Sequence, residues 1–383
     1  MNKNIFALMI ILIAFVSLAS VSAAENDMLL SISDSNDAVS VSYDNISYQS
    51  NEIIGQSLES DSLLGDDEIP TQINLERSTE GLIEDNKITI TATLTDMEGN
   101  PLKIKTVQPF VDGKTMGSSY STDENGQISV DVAKTSGFYY FQVKFLGQEG
   151  YAASNSELME LAFANTNDLT DFAVRAILSD GVLNLTKDYT GYGSNKVVRK
   201  NASTGQVINN YNELNAGIPI TSNLVVNGNG HTIDVSSDYL VRAFFYVNNC
   251  ELTLNNMTLV NGYSLNSNNG LFVTRKSATF NLNNVLIANS SSVSTIFDKS
   301  VWDQSVNLKI NAKNSSFINN IITSVSEASA ATLFYHFLVD STFEQCLFIN
   351  NTEIFGIYMV SGLNIRNSIF LGNSLIFRCP YSS

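Results

Sequence analysis

The sequence predicts an all-β fold, an antiparallel sandwich followed by a parallel solenoid, and two observations carry the prediction. The first is a pattern, apolar-x-apolar-x-Asn-x-x-apolar-x-Asn, that runs five times through the last third of the chain. It reads Leu252, Leu254, Asn256, Leu259, Asn261; then Phe280, Leu282, Asn284, Ile287, Asn289; then Ile310, Ala312, Asn314, Phe317, Asn319. Looser copies follow with Phe343, Gln345, Phe348 and Asn350, and with Leu363, Ile365, Asn367 and Phe370, where Gly372 replaces the second Asn. The first-Asn position advances by 28, 30, 31 and 22 residues, a period that denotes stacked β coils when no helical pattern intervenes. The second observation is period-two alternation between Lys87 and Phe145, interrupted by turn residues.

The chain opens as an exported protein does. Lys3 is the only charge before an apolar run from Ile5 to about Leu18, and Val21-Ser22-Ala23 supplies the small residues of a cleavage site, giving a signal peptide over residues 1–24. The expected location is secreted or on the cell surface. Loss of Lys3 with the leader takes the formal charge from −17 to −18. Such acidity without clustered Lys and Arg excludes nucleic acid and anionic membrane as partners. Residues 25–69 hold eleven acidic residues and no Lys or Arg, which predicts a disordered, extended spacer.

From residue 70 to 158 short alternating strands recur at regular turn spacing. Ile88, Ile90, Ala92 and Leu94 alternate, Asp96-Met97-Glu98-Gly99-Asn100-Pro101 turns, Ile128, Val130 and Val132 alternate again, and Phe138 to Phe145 forms a further strand. An antiparallel β-sandwich follows from this pattern. Residues 165–222 read as a cap helix with lead-in strands. Asp168-Leu169-Thr170-Asp171 is a variant of the capping box, and Leu169, Phe172, Ala173, Ala176 and Ile177 fall on one helical face. A short helix there is placed to plug the first coil of a solenoid.

Residues 223–383 form the solenoid. Alternation sets the Leu, Phe and Ile residues on one side of each strand, and stacking buries that side. Asn256, Asn284, Asn314 and Asn367 are expected to stack as a structural ladder at one corner, because Asn tolerates left-handed backbone. The stop at Ser383, after the Leu375-Ile376-Phe377 strand and Pro380, leads to the expectation of an uncapped final coil that self-associates through its open edge.

One resemblance is specific. Asp188-Tyr189, Gly217-Ile218-Pro219-Ile220, Gly228-Asn229-Gly230-His231-Thr232-Ile233-Asp234 and Leu254-Asn255-Asn256-Met257-Thr258-Leu259 occur in an order similar to that of the adhesin-like proteins of methanogenic archaea. Upstream, Thr93-Leu94-Thr95-Asp96 with Gly99-Asn100-Pro101, Val111-Asp112-Gly113 and Thr122-Asp123-Glu124-Asn125-Gly126 resemble bacterial immunoglobulin-like domains. The likeness covers about residues 70–383. It implies an immunoglobulin-like sandwich, a right-handed parallel β-helix of the pectin-lyase kind, and a surface protein that binds glycans or surface proteins. The chain departs from the family in placing the sandwich before the helix, and a C-terminal anchor is not expected.

The expected function is therefore non-enzymatic binding. The first alternative is a polysaccharide lyase or glycosidase on the same fold, and the second a structural wall or coat component. Enzymes of this kind need paired carboxylates or an acidic metal site beside a base. No acidic residue recurs at a fixed offset in the repeats; Asp340 and Glu344, with Arg366 one coil on, are the only catalytic candidates. His231 and His336 read as structural residues, and no metal or cofactor is expected. Cys250, Cys346 and Cys379 are too scattered for a disulfide framework and read as single thiols. Of seven Asn-x-Ser/Thr sequons, Asn45, Asn184, Asn201, Asn289 and Asn350 are glycosylation candidates, while Asn256 and Asn314 are expected to turn inward, away from a transferase.

Overall fold

The structure is a computed structural model that describes residues 68–191, 217–235, 243–264, 270–292, 295–299, 305–323, 332–334, 339–356 and 362–378. The leader, nearly all of the acidic spacer, Asn45, Asn201, His336 and Cys379 lie outside the described residues.

Nine strands form the N-terminal sandwich: β1 (Thr71–Arg77), β2 (Lys87–Asp96), β3 (Thr106–Val111), β4 (Lys114–Thr115), β5 (Tyr120–Ser121), β6 (Gln127–Ala133), β7 (Gly137–Phe145), β8 (Ser154–Asn155) and β9 (Met159–Phe163). One antiparallel sheet has the order β1-β2-β6; the other runs β4-β3-β7-β8, with β5 on β3 and β9 on β7. Alternation decides which side chains meet. Ile88, Ile90, Leu94, Val130 and Val132 from the first sheet pack on Phe141, Val143 and Phe145 from the second. Because β9 pairs antiparallel with β7, Phe163 opposite Gly137, the sandwich runs to residue 163 rather than 158.

Helix α1 (Leu169–Leu178) joins the two parts of the fold. Asp168 caps it, its Oδ1 accepting from the backbone N–H of Thr170 at 2.9 Å and of Asp171 at 3.0 Å. Asp171 does not complete a capping box. Its carboxylate accepts from the N–H of Thr166, from Ser136 Oγ, from Arg175 Nε and from Lys187 Nζ. Leu169, Phe172, Ala173 and Ala176 enter the solenoid core, with Phe172 stacked on Phe244 at 5.9 Å. Val174, on the other side, packs on Phe138 and Tyr140 of the sandwich.

The solenoid stacks parallel strands on three main faces, with a short fourth ladder of Tyr263–Ser264, Ser291–Ser292 and Ile321–Ile322 after the second corner. Face A contains Val182–Asn184, Leu224–Asn227, the first half of Glu251–Val260, the first half of Ala278–Ala288, Leu308–Lys313, Thr342–Glu344 and Asn364–Arg366. Face B contains Tyr189–Thr190, Thr232–Asp234, the second halves of the two long strands, Ser316–Ile318, Leu347–Ile349 and Ile369–Leu371. Face C contains Ile218–Ile220, Phe245–Val247, Phe272–Thr274, Phe297–Lys299, Phe334, Glu353–Gly356 and Leu375–Arg378. The first coil thus starts at Val182, whose strand pairs in register with Val225, and not at residue 223.

Both Asn positions of the repeat are corners. Asn256, Asn284, Asn314, Gln345 and Asn367 turn from face A to face B with φ of 48°, 56°, 50°, 55° and 51°. Asn261, Asn289, Asn319 and Asn350 turn from face B towards face C with φ of 60°, 53°, 54° and 52°, and Gly372 follows at 65°. A side chain at Gly372 would run into Oδ1 of Asn350, so this column is completed without one. Each of these repeat corners therefore sits in left-handed backbone, where Asn is tolerated best after Gly.

Phenylalanine fills the interior. Leu259, Ile287, Phe317 and Phe348 are fully buried, and Phe370 is partly buried against them. On face C, Phe245, Phe272, Phe297, Phe334, Phe355 and Phe377 make a second column of stacked rings, with centroids 4.3–5.7 Å apart. A third, polar column lies beside them. Asn320, Asn351 and Asn373 stand one residue after the second corner; Asn320 Nδ2 donates to Asn351 Oδ1 at 3.0 Å, and Asn351 Nδ2 to Asn373 Oδ1 at 3.0 Å. The same nitrogens donate to the carbonyls of Ile287 and Phe317, which satisfies both hydrogens of each buried amide.

Candidate functional site

The outer side of face A is the most regular polar surface of the molecule. Period-two alternation that buries Leu252 and Leu254 turns Thr253 and Asn255 outward, and each coil repeats the choice. Two columns result. In one, Asn227 Nδ2 donates to Asn184 Oδ1 at 2.8 Å, Asn255 to Asn227 at 2.9 Å and Asn283 to Asn255 at 2.9 Å. In the other, Asn281 Nδ2 donates to Thr253 Oγ1 at 3.1 Å and Asn311 Nδ2 to Asn281 Oδ1 at 2.8 Å. An amide carries two N–H donors and two acceptor lone pairs. The ladder uses one of each, so Asn227 and Asn255 keep an N–H and a lone pair for solvent or a ligand, while Asn281 also reaches Glu251 Oε2 at 3.5 Å. Coils lie about 4.8 Å apart, which sets the repeat of these groups along the stack.

The first column continues into charge. Lys313 stands in register with Asn283, Glu344 with Lys313, and Arg366 with Glu344. Lys313 Nζ lies 3.8 Å from Glu344 Oε2, and both side chains are about half exposed. Exposed pairs of this kind contribute roughly 0–1 kcal/mol. Asp340 is not part of the row. It is a corner residue with φ 46°, beside Gly362, in a shallow depression of about 560 Å³ with Asn223, Asn249, Glu251 and Lys309. Three residues separate it from Glu344, which lies in the row of face A and not in that depression. The three catalytic candidates are therefore divided between two places, Glu344 with Arg366 on face A and Asp340 at a corner.

His231 is oriented by the turn that precedes it. Its Nδ1 lies 3.0 Å from Asp188 Oδ1, which also accepts from the N–H of Thr232 at 2.8 Å. Those two contacts, the backbone donor first, hold the Asp188 carboxyl below its ordinary pKa. Among the described residues no three His, Cys, Asp or Glu side chains gather as metal ligands would. Cys250 and Cys346 are buried free thiols at different positions of their coils, and burial pushes Cys346 up to about 11.

Asn256, Asn284, Asn314 and Asn367 all present their side chains outward at the first corner. Asn284 Nδ2 donates to Asn256 Oδ1 at 2.8 Å, along a depression of about 280 Å³. Asn256 and Asn314 are thus exposed, not turned inward as the repeat suggested. Left-handed backbone at a corner points its own side chain out and sends the next residue, Met257 or Ser315, in. Sequence reasoning missed the internal Asn320–Asn351–Asn373 column, although the doublets Asn319-Asn320 and Asn350-Asn351 are visible in the repeat.

These observations define an all-β protein built on a parallel β-solenoid with a helix-capped first coil. The sequence matches no protein-family model, and no curated protein is similar to it in sequence. Among solved structures the chain is similar to a Family 28 exopolygalacturonase of Yersinia enterocolitica, at 9% identity over 81% of this chain and 98% of that one, with a TM-score of 0.17. A likeness that loose carries no argument about activity, and the solenoid is described from its own strand pairing. No helix among the described residues is long and apolar enough to cross a membrane.

Proposed function

We propose that this is an exported surface protein whose face A binds an extended, uncharged glycan without cleaving it. The sandwich, read as immunoglobulin-like, holds the solenoid away from its attachment point, and the helix is read as right-handed and of the pectin-lyase kind. The observation that supports the reading is the pair of amide ladders. They offer unused donors and acceptors at a constant step, as a polymer of hydroxyl-bearing sugars requires.

Each amide contact adds about 1 kcal/mol, so useful affinity needs several coils at once. The ladder amides, from Asn184 to Asn311, span five strands and four steps of face A, about 19 Å. Titration of a neutral oligosaccharide series should give affinity that rises with length and levels off near that span. Equal affinity for short and long members, or none for any, contradicts the proposal. Among the described residues, Glu344 beside Arg366 is the feature that favours a carbohydrate-cleaving enzyme instead. Product analysis decides between them: new reducing ends, lost in Glu344→Gln, would establish cleavage.

A further inference from the structure

Five sequon asparagines lie among the described residues: Asn184, Asn256, Asn289, Asn314 and Asn350, all exposed. The side-chain nitrogens of the solenoid divide with respect to them. Ladder donors such as Asn227, Asn255, Asn281, Asn284 and Asn319 give an Nδ2 hydrogen to the preceding coil, and none of them begins a sequon. Among the described residues the five sequon asparagines donate from Nδ2 to nothing. Three accept instead: Asn184 from Asn227 at 2.8 Å, Asn256 from Asn284 at 2.8 Å and Asn289 from Asn319 at 3.2 Å. The atom that N-glycosylation modifies is free wherever the motif occurs among the described residues. The oxygen left untouched is the one the ladder uses.

Position adds a second observation. Asn256 and Asn314 belong to the corner before face B, and Asn289 and Asn350 to the corner after it, all four in left-handed backbone. On each corner the sequons skip a coil, so neighbours are about 10 Å apart, room that one step of about 4.8 Å would not give. Between the corners, the outer side of face B is largely apolar in the later coils. Val260, Leu286, Leu347 and Ile349, partly exposed, and the buried Ile318 alternate with Leu259, Ile287, Phe317 and Phe348, with Thr258 and Ser316 on the same side.

We infer that N-linked glycans on Asn256 and Asn314 along one edge, and on Asn289 and Asn350 along the other, cover the apolar outer stripe of face B. The inference rests on the reading of the chain as exported, since the sugar donor is a membrane-lipid-linked glycosyl phosphate. Nδ2 attacks the anomeric carbon of that donor and forms the C–N bond. The bond from that carbon to the phosphate oxygen breaks, its electron pair leaving with the lipid phosphate, and the amide releases one proton. The product keeps one N–H and the whole Oδ1, so the bonds from Asn284 and Asn319 survive. Face A, with Asn184 alone at its first coil, stays open.

Glycopeptide mapping of the protein purified from its own cells tests this. Sugar on Asn256, Asn314, Asn289 and Asn350 is expected, and Thr258→Ala and Ser316→Ala, which leave Asn256 and Asn314 in place, should each remove one mass increment. A corner whose two peptides are both unmodified overturns the inference. A surface-located, glycan-binding protein with bare corner peptides overturns it too, and leaves the proposed function standing. Protein made in a host without N-glycosylation should aggregate and bind a hydrophobic dye, and Leu286→Ser with Leu347→Ser should reverse both. Equal solubility with and without the sugars refutes the covering role.

Discussion

Phe317 lies flat on Phe348, ring centroids 5.0 Å apart and planes 8° apart, and Phe370 continues the column at 4.7 Å. Offset packing of this kind adds to the burial of each ring. Because Phe317 is fully buried in mid-stack, Phe317→Ala leaves a cavity that rigid coils on either side cannot close. Chemical denaturation should show a loss of about 3–5 kcal/mol, with a smaller loss for Phe370→Ala, whose ring is only partly buried. Equal losses at both positions would count against a column that opens towards the later coils.

The buried Asn351 bridges Asn320, Asn373 and the Phe317 carbonyl. Asn351→Leu keeps the volume and strands these partners at about 1–3 kcal/mol each. Asn351→Ser should cost less despite its smaller side chain, because Ser290 already occupies the equivalent place and accepts from the N–H of Gly262 at 3.2 Å. Thermal melts of the two variants check the order. If Leu is tolerated better than Ser, the column is ordinary packing.

Asp171, fully buried, ties Ser136 in the sandwich and Thr166 just after it to Arg175 on α1 and Lys187 in the first coil. Arg175 in turn reaches Glu84 at 2.7 Å and the Ala164 carbonyl at 2.7 Å. Asp171→Ala leaves two cations without their buried acceptor, a change that typically costs about 3–5 kcal/mol. Proteolysis should then cut between residues 164 and 191 in the variant and not in the parent. Unchanged resistance there would mean the junction is held by the apolar contacts of Phe172 and Val174 alone.

Burial holds the Cys346 thiol well above its ordinary range, at about 11. Only the thiolate attacks an alkylating reagent, so at pH 8 Cys346 should resist labelling in the folded protein and react on unfolding. Peptide mass mapping with and without denaturant reads this directly. Fast native labelling would show that the coil around Ala312 and Cys346 opens.

The legibility of the fold followed from which features keep step. The corner asparagines and the residue three positions on, Leu259, Ile287 and Phe317, recur at constant offsets, because the strand between two one-residue corners has a fixed length. The face C rings do not. Phe245, Phe272, Phe297, Phe334 and Phe355 are separated by 27, 25, 37 and 21 residues, since connections of unequal length precede each strand. The same inequality hid the first coil, whose Asn184 precedes its partner Asn227 by 43 residues. Asp340 and Glu344 suggested one site by closeness in sequence. A strand of outward and inward residues with a corner at its start places them apart.

The central claim is that face A binds a neutral glycan along its amide ladders and leaves it intact. Its most direct test is titration of neutral oligosaccharides of increasing length against the parent and Asn281→Leu/Asn283→Leu, which removes one amide from each column while keeping the buried pattern. The account predicts length-dependent binding by the parent, a loss of at least tenfold in the variant, that is about 1.4 kcal/mol or more, and recovery of every oligosaccharide at its original length. Undiminished binding by the variant, or shortened products from the parent, would contradict it.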